Sequence, residues 1–187
     1  FLLVFATVLI TASGYIINDY FDLKTDEINK PEKVIIGTHI SEKTAIRIYW
    51  IFVVISVLIG YYLSYSIGFF SLGLIFVVTI LLLWFYSANF SKVLIAGNII
   101  IALLSALVPF IVFIFEMLPL LSYYDETISP FFVKEVASYI SGFAFFAFML
   151  TLNREIIKDI EDLEGDKAYG RNTMAIMWGM KTAKMIS

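Results

Sequence analysis

Five apolar runs constrain this chain more than any other feature, because each is long enough to cross a bilayer core at about 20 residues per helix. They lie at residues 1–17, 45–66, 69–86, 93–115 and 131–152. Apolar side chains occupy every face of each run, and none shows the in-out alternation of a barrel strand. In lipid, backbone hydrogen bonds can then be met only within α-helices. These runs give a composition that is 60% hydrophobic and only 16% charged, with a mean hydropathy of +0.89, which lies outside the range of soluble domains. The expected fold is all-α, a polytopic transmembrane bundle with five spans, integral to the membrane. The chain opens at Phe1 inside an apolar run and stops at Ser187 just after a new segment starts. It reads as one domain over residues 1–187, truncated at both ends.

Parity assigns the sides. The first helix delivers the chain to residues 18–44, the next two form a hairpin through Ser66-Ile67-Gly68, and the turn at residues 87–92 returns to the first side. The fourth helix leaves and the fifth comes back. Twelve of the thirteen Lys and Arg residues fall on that first side and only Lys134 falls opposite, so the rule that basic loops stay inside makes it cytoplasmic, at the inner membrane in a bacterium. Tyr61, Tyr62, Tyr65, Tyr123 and Tyr124 mark the far interface, and Tyr15, Tyr49, Trp50 and Trp84 the near one.

Two acidic clusters stand at the cytoplasmic ends of spans. If the helices persist past the membrane edge, Asn18, Asp22 and Asp26 recur at i, i+4, i+8, and Asp159, Asp162 and Asp166 at i, i+3, i+7. Each set then lines one helix face. Like carboxylates at that spacing repel one another, and a helix C-terminus adds partial negative charge of its own. A bound cation resolves both. Cysteine is absent and His39 is the only histidine, so thiolate zinc sites, disulfides and bis-His haem are excluded. An all-oxygen donor set of this kind suits Mg2+, which takes one or two carboxylates and completes its shell with water and phosphate.

Basic residues flank the same clusters. Lys30 and Lys33 follow the first, while Lys158 and Arg171 surround the second, and all four are candidates to meet phosphate oxygens. Tyr86 stands at the start of the turn ending in Lys92, so its hydroxyl is within reach of a diphosphate or a reacting centre. Ser41 is a candidate N-cap for the second helix. Pro109 is expected to kink the fourth span and free a carbonyl, with Asn98 and Ser105 adding polar groups nearby.

These residues resemble the signatures of the UbiA-type intramembrane prenyltransferases. The pattern N-D-x-x-D-x-x-x-D is met by Asn18, Asp19, Asp22 and Asp26, and the following N-x-P-x-x-x-x-x-G-x-x-S by Asn29, Pro31, Gly37 and Ser41. The second signature is similar to the run from Asn153 through Arg154, Glu155, Lys158, Asp159, Asp162 and Gly165 to Lys167. Within the family, that run most resembles the digeranylgeranylglyceryl phosphate synthase branch, with chlorophyll synthase nearby. The resemblance implies a nine-helix bundle when complete, of which this chain lacks the first helix and roughly the last three. It also implies magnesium-dependent transfer of a polyprenyl group from its diphosphate to a lipid or aromatic acceptor. Asp22, Asp159 and Tyr86 are then catalytic. Asn18, Asp22, Asp26, Asp159, Asp162 and Asp166 hold the metal, and Asn18, Lys30, Lys33, Lys92, Asn153, Lys158 and Arg171 bind substrate. The family's Tyr-x-x-x-Lys turn differs here, because five residues separate Tyr86 from Lys92. The implied partners are a prenyl diphosphate, the acceptor and membrane lipid, with no nucleic acid and no obligatory protein.

The acceptor stays open among a glyceryl phosphate, an aromatic acid, a chlorin and a naphthoate. A cation-coupled transporter is the rival from another class, since intramembrane carboxylates mark ion pathways. No Asp or Glu occurs deep within a span, which weighs against it. A CDP-alcohol phosphotransferase also uses paired Asp motifs, but its Gly and Arg after the first Asp pair are missing.

Overall fold

The computed structural model describes residues 1–93, 95–124 and 129–179, with the side chains of Lys92, Met174 and Ala175 excepted. Five of its helices are long and apolar enough to cross a membrane, in agreement with the expected all-α bundle. They are α1 (Leu2–Asn29), α2 (Glu42–Ser66), α3 (Gly73–Ala88, preceded by a 3-10 turn at Phe70–Leu72), α4 (Ala96–Tyr124) and α5 (Pro130–Glu161). Two short helices follow, α6 (Leu163–Ala168) and α7 (Met174–Met177). The observed helices outrun the apolar stretches. α1 continues 12 residues past Ile17, from Asn18 to Asn29, because nothing there breaks a helix until Pro31.

The bundle packs as two groups, α1 against α2 and α3, and α4 against α5, with α6 returning onto α1. Lipid offers no hydrophobic drive between helices, so close approach of small residues carries the packing. Ser13, Ser56, Ser64 and Ser87 are fully or almost fully buried, and each hydroxyl donates back to a carbonyl three or four residues earlier, leaving no polar group unmet. Around them Ala6, Ile10, Ile17, Tyr49, Val53, Phe76, Ile80 and Phe115 form the core. α4 runs through both Pro109 and Pro119 as one helix, so Pro109 does not end the span.

The loop between α1 and α2 follows its sequence letter by letter. Pro31 opens a 3-10 turn at Pro31–Lys33, where its fixed φ and missing N–H cost nothing. Gly37 has φ +87, a conformation that side-chain-bearing residues rarely adopt. Ser41 caps α2 as expected, its Oγ accepting from the Thr44 N–H at 3.2 Å. Val34 and Ile36 are buried, which folds the loop down over the end of α1.

Candidate active site

Because α1 is unbroken, Asn18, Asp22 and Asp26 do share one face, and Asn18 Nδ2 donates to Asp22 Oδ2 at 2.8 Å across one turn. Asp22 is only 5% exposed.

The second cluster is built differently from the continuous helix that its spacing suggested. α5 stops at Glu161, Asp162 adopts φ -92 and ψ 10, and α6 begins at Leu163. Asn29 makes the break possible. Its Nδ2 donates to the Asp162 carbonyl at 3.1 Å and its Oδ1 accepts the Gly165 N–H at 2.7 Å, meeting two backbone groups beside the break. A Cβ on Gly165 would stand 2.6 Å from Asn29 Nδ2 and 2.7 Å from the Thr25 carbonyl, so only glycine lets α6 approach α1 this closely. Asp159 remains on α5, where Asn98 Nδ2 of α4 donates to its Oδ2 at 2.9 Å.

The two clusters meet, and protein cations stand between them. Arg171 pairs closely with Asp22 and lies 3.4 Å from Asp166 Oδ1, with its side chain only 9% exposed. Lys30 Nζ lies 2.7 Å from Asp162 Oδ1, an ion pair without the alignment of a full hydrogen bond, and 3.4 Å from Glu161 Oε2. Lys158 Nζ donates to Asn18 Oδ1 at 3.3 Å, joining α5 to α1. The sequence reading turned Lys30 and Arg171 toward phosphate; here both are engaged by carboxylates, since a buried guanidinium or ammonium takes the nearest counter-charge. Burial opposes the charge on Arg171, but Asp22, Asp166 and Asp26 outweigh it and hold its pKa above the ordinary value. Burial pushes the Asp166 carboxyl up to about 6, against the pull of Arg171, and the charges of Asp162, Asp159 and Asp22 add to the rise.

That donor set fits a hard divalent cation in its chemistry: six oxygen-bearing side chains from two segments, with more acids than cations. Asp166 Oδ1 is buried without a hydrogen bond and so keeps a lone pair to offer. As packed, no three acidic or histidine side chains among the described residues converge closely enough to enclose an ion. Arg171, Lys30 and Asn98 occupy oxygens of Asp22, Asp166, Asp162 and Asp159 instead.

Two cavities adjoin this cluster. A polar one of about 190 Å³ is lined by Asp19, Asp26, Lys30, Lys33 and Asp162 with the loop residues Val34 to Ile36. A mostly apolar one of about 280 Å³ runs between α1, α3, α4 and α5. Asn18 and Lys158 line both, so their 3.3 Å contact stands at the boundary between the two cavities.

Tyr86 is buried on the wall of the apolar cavity, and its hydroxyl donates to Glu155 Oε2 at 3.2 Å. Lys33 is exposed on the polar cavity. Asn153 has a buried Oδ1 without a hydrogen bond and lines neither cavity. The Lys92 side chain lies outside the described residues.

Sequence reasoning gave no site role to Asn29, Asn98, Glu155 or Gly165. Each had a signal. Asn29 and Gly165 sit in the quoted patterns and Asn98 is polar within an apolar run, while Glu155, one turn before Asp159, is buried with Tyr86. Their partners lie 61 to 136 residues away, which no local spacing reveals.

The model of the UbiA prenyltransferase family matches residues 1–187. Among curated proteins, the chain is 34% identical to the digeranylgeranylglyceryl phosphate synthase of Sulfolobus acidocaldarius, over 96% of this chain and 57% of that one. It is also 34% identical to the synthase of the same name from Methanosphaera stadtmanae (95% and 57%), and 35% identical to that of Methanothermobacter thermautotrophicus (95% and 55%). The chain therefore spans little more than half the length of these relatives. No solved structure matches it significantly. Two facing acidic segments at the membrane edge, an adjoining apolar cavity and a family match along the whole chain lead to one assignment: this chain belongs to the UbiA prenyltransferase family.

Proposed function

We propose that the protein containing this chain transfers a polyprenyl group from its diphosphate to a lipid acceptor, with geranylgeranylglyceryl phosphate the best candidate. The carrying observation is the boundary at Asn18 and Lys158, where a polar, charged cavity and an apolar one lie side by side. A prenyl diphosphate has that same division. Its head belongs with Lys33, Lys158 and the acidic clusters, and its hydrocarbon tail with the cavity walls of α1, α3 and α4. The bond to be broken then lies beside Asn18 and Lys158. Among the described residues Lys33 has no acidic partner and Lys158 donates only to Asn18, so both can take phosphate oxygens.

Magnesium held among Asn18, Asp22, Asp26, Asp159, Asp162 and Asp166 would supply charge stabilisation to the departing diphosphate. Asn98 fixes the rotamer of Asp159, Arg171 holds Asp22 and Asp166 in one place, and the apolar wall excludes the water that would quench an allylic cation. Acceptor choice follows the relatives, whose names specify the glyceryl phosphate product; quinone precursors and chlorins are the other acceptors to test. A transporter gains no support from a single-interface acid cluster in a chain of this family.

Supplying the full-length membrane protein with geranylgeranyl diphosphate and a panel of acceptors tests this reading. The expected product is the digeranylgeranyl ether of glyceryl phosphate, and cation flux without any prenylated product would overturn it. We place both acidic clusters and the α3–α4 turn in the cytoplasm. Single cysteines at Asn29, Asn89 and Lys167 should react with an impermeant thiol reagent only from that side, and labelling of Asn89 from outside would break the topology.

A further inference from the structure

The apolar cavity holds a charged group that prenyl transfer, as argued so far, does not use. Glu155 is 4% exposed and lies on α5, one turn before Asp159 and just past the apolar run that ends at residue 152. A carboxylate buried this far is costly unless it is paired. Tyr86 donates to its Oε2 at 3.2 Å and Arg154 Nη1 donates to its Oε1 at 3.0 Å. Among the described residues lining the apolar cavity it is the only carboxylate.

The other lining groups cannot take up a proton. Arg154 and Lys158 are cations, and the Tyr86 hydroxyl is committed to Glu155. Thr7, Thr11 and Thr151 donate to the Leu3 carbonyl, the Thr7 carbonyl and Ser105 Oγ, each at 2.9 Å. A neutral hydroxyl attacking an allylic carbon becomes acidic as the new bond forms, so its proton needs a nearby acceptor in a site that excludes water.

We infer that Glu155 is the catalytic base of the reaction, held by Tyr86 and Arg154, and that the acceptor it serves carries a hydroxyl nucleophile into the apolar cavity. The acceptor oxygen bonds to C1 of the prenyl group, the bond from C1 to the diphosphate oxygen breaks with its electron pair leaving on the diphosphate, and the hydroxyl proton passes to the Glu155 carboxylate. Tyr86 and Arg154 are positioning residues for that carboxylate. This rests on the prenyl-transfer reading and adds the proton's destination.

The test is Glu155→Gln in the full-length protein in lipid nanodiscs, with geranylgeranyl diphosphate and two probe acceptors that differ only in bearing a hydroxyl or a thiol at the reacting carbon. At pH 8.5, the ordinary thiol pKa, about half of the thiol is ionised without help. The variant should lose about 100-fold or more in kcat with the hydroxyl probe, and stay within roughly threefold of wild type with the thiol. Binding of an unreactive thiolodiphosphate analogue should be unchanged. Equal losses with both probes would mark a structural role and overturn the inference, as would an unaffected hydroxyl reaction. Should the Gln variant not fold, Glu155→Asp keeps a carboxylate and must still show a loss confined to the hydroxyl probe; equal losses there overturn it as well. A wild-type protein that binds the analogue yet transfers to neither probe overturns the transfer reading, and this inference with it.

Discussion

The two acidic segments look alike in sequence and are held by different means. The first rides one uninterrupted helix, so periodicity alone puts Asn18, Asp22 and Asp26 on one face. The second crosses a helix break at Asp162, and its shape depends on contacts with the first: Asn29 meets the backbone beside the break, Arg171 ties Asp166 to Asp22, and Lys30 reaches Asp162. One segment is thus a template and the other is folded onto it. Damage to the template should spread to the second segment, while damage to the second should stay local.

The largest expected effect breaks the comparison at its centre. Asp22→Ala removes a carboxylate from the proposed metal set and also strips buried Arg171 of its closest partner. Turnover should fall at least about 100- to 1000-fold, as when a charge-stabilising group is lost from an active site. Stability should fall by up to about 3–5 kcal/mol, because a buried charge is left underpaired. Asp159→Ala should cost a similar factor in turnover with a smaller drop in Tm, since its partner Asn98 is neutral. Equal loss of Tm in both variants would show that the segments do not differ in this way.

Asn29→Ala comes next. It removes two half-buried hydrogen bonds without touching an acid, at a cost of about 1 kcal/mol each, since the Asp162 carbonyl keeps the Asp166 N–H at 3.0 Å. Hydrogen exchange should accelerate at the amides of residues 162–168 and stay unchanged along residues 9–22 of α1. Gly165→Ala should give the same pattern through the clash with Asn29 and the Thr25 carbonyl. Faster exchange along α1 in either variant would mean that the dependence runs both ways.

Magnesium and pH sharpen the comparison further. Asp166 is pushed to about 6 in the fold from an ordinary 3.8, so the unfolded chain ionises it first. Its contribution therefore destabilises the metal-free fold as pH rises from about 4 to about 6, and is constant above that. Magnesium should raise Tm at pH 7.5 by relieving the crowded negative charge, and the gain should shrink as pH falls below about 6, where protons compete for the same oxygens. A gain independent of pH would remove Asp166 from the metal set.

Much of this was legible in the sequence, for reasons that differ by level. The five spans were readable because lipid demands long apolar helices, and Ser41 because a helix cap has strict chemical requirements. The first acidic face was readable because α1 has no breaker before Pro31. The break at Asp162 was not, because its cause is a side chain 133 residues away. Arg171 was singled out for its charge, yet its partner could be found only in three dimensions, and Glu155 gains meaning only beside Tyr86, 69 residues away.

The smallest expected effect separates two lysines in the loop that leaves the template helix. Lys30 is tied to Asp162 and Glu161, with its side chain 27% exposed, whereas Lys33 is exposed on the polar cavity with no acidic partner among the described residues. Lys33→Gln should leave Tm unchanged and raise the KM for prenyl diphosphate by roughly fivefold, the effect of about 1 kcal/mol for a solvent-exposed ion pair. Solvent screening implies that this penalty fades as salt rises toward 1 M, where the Debye length is only about 3 Å. Lys30→Gln should instead lower Tm, because it releases Asp162 at the helix break, and its effect should persist in salt to the extent that the pair is shielded. KM and Tm measured for both variants at low and high salt distinguish the roles. If Lys33→Gln lowers Tm or leaves KM unchanged at low salt, the free lysine is not a phosphate contact, and the polar cavity must take its anion through Lys158 alone.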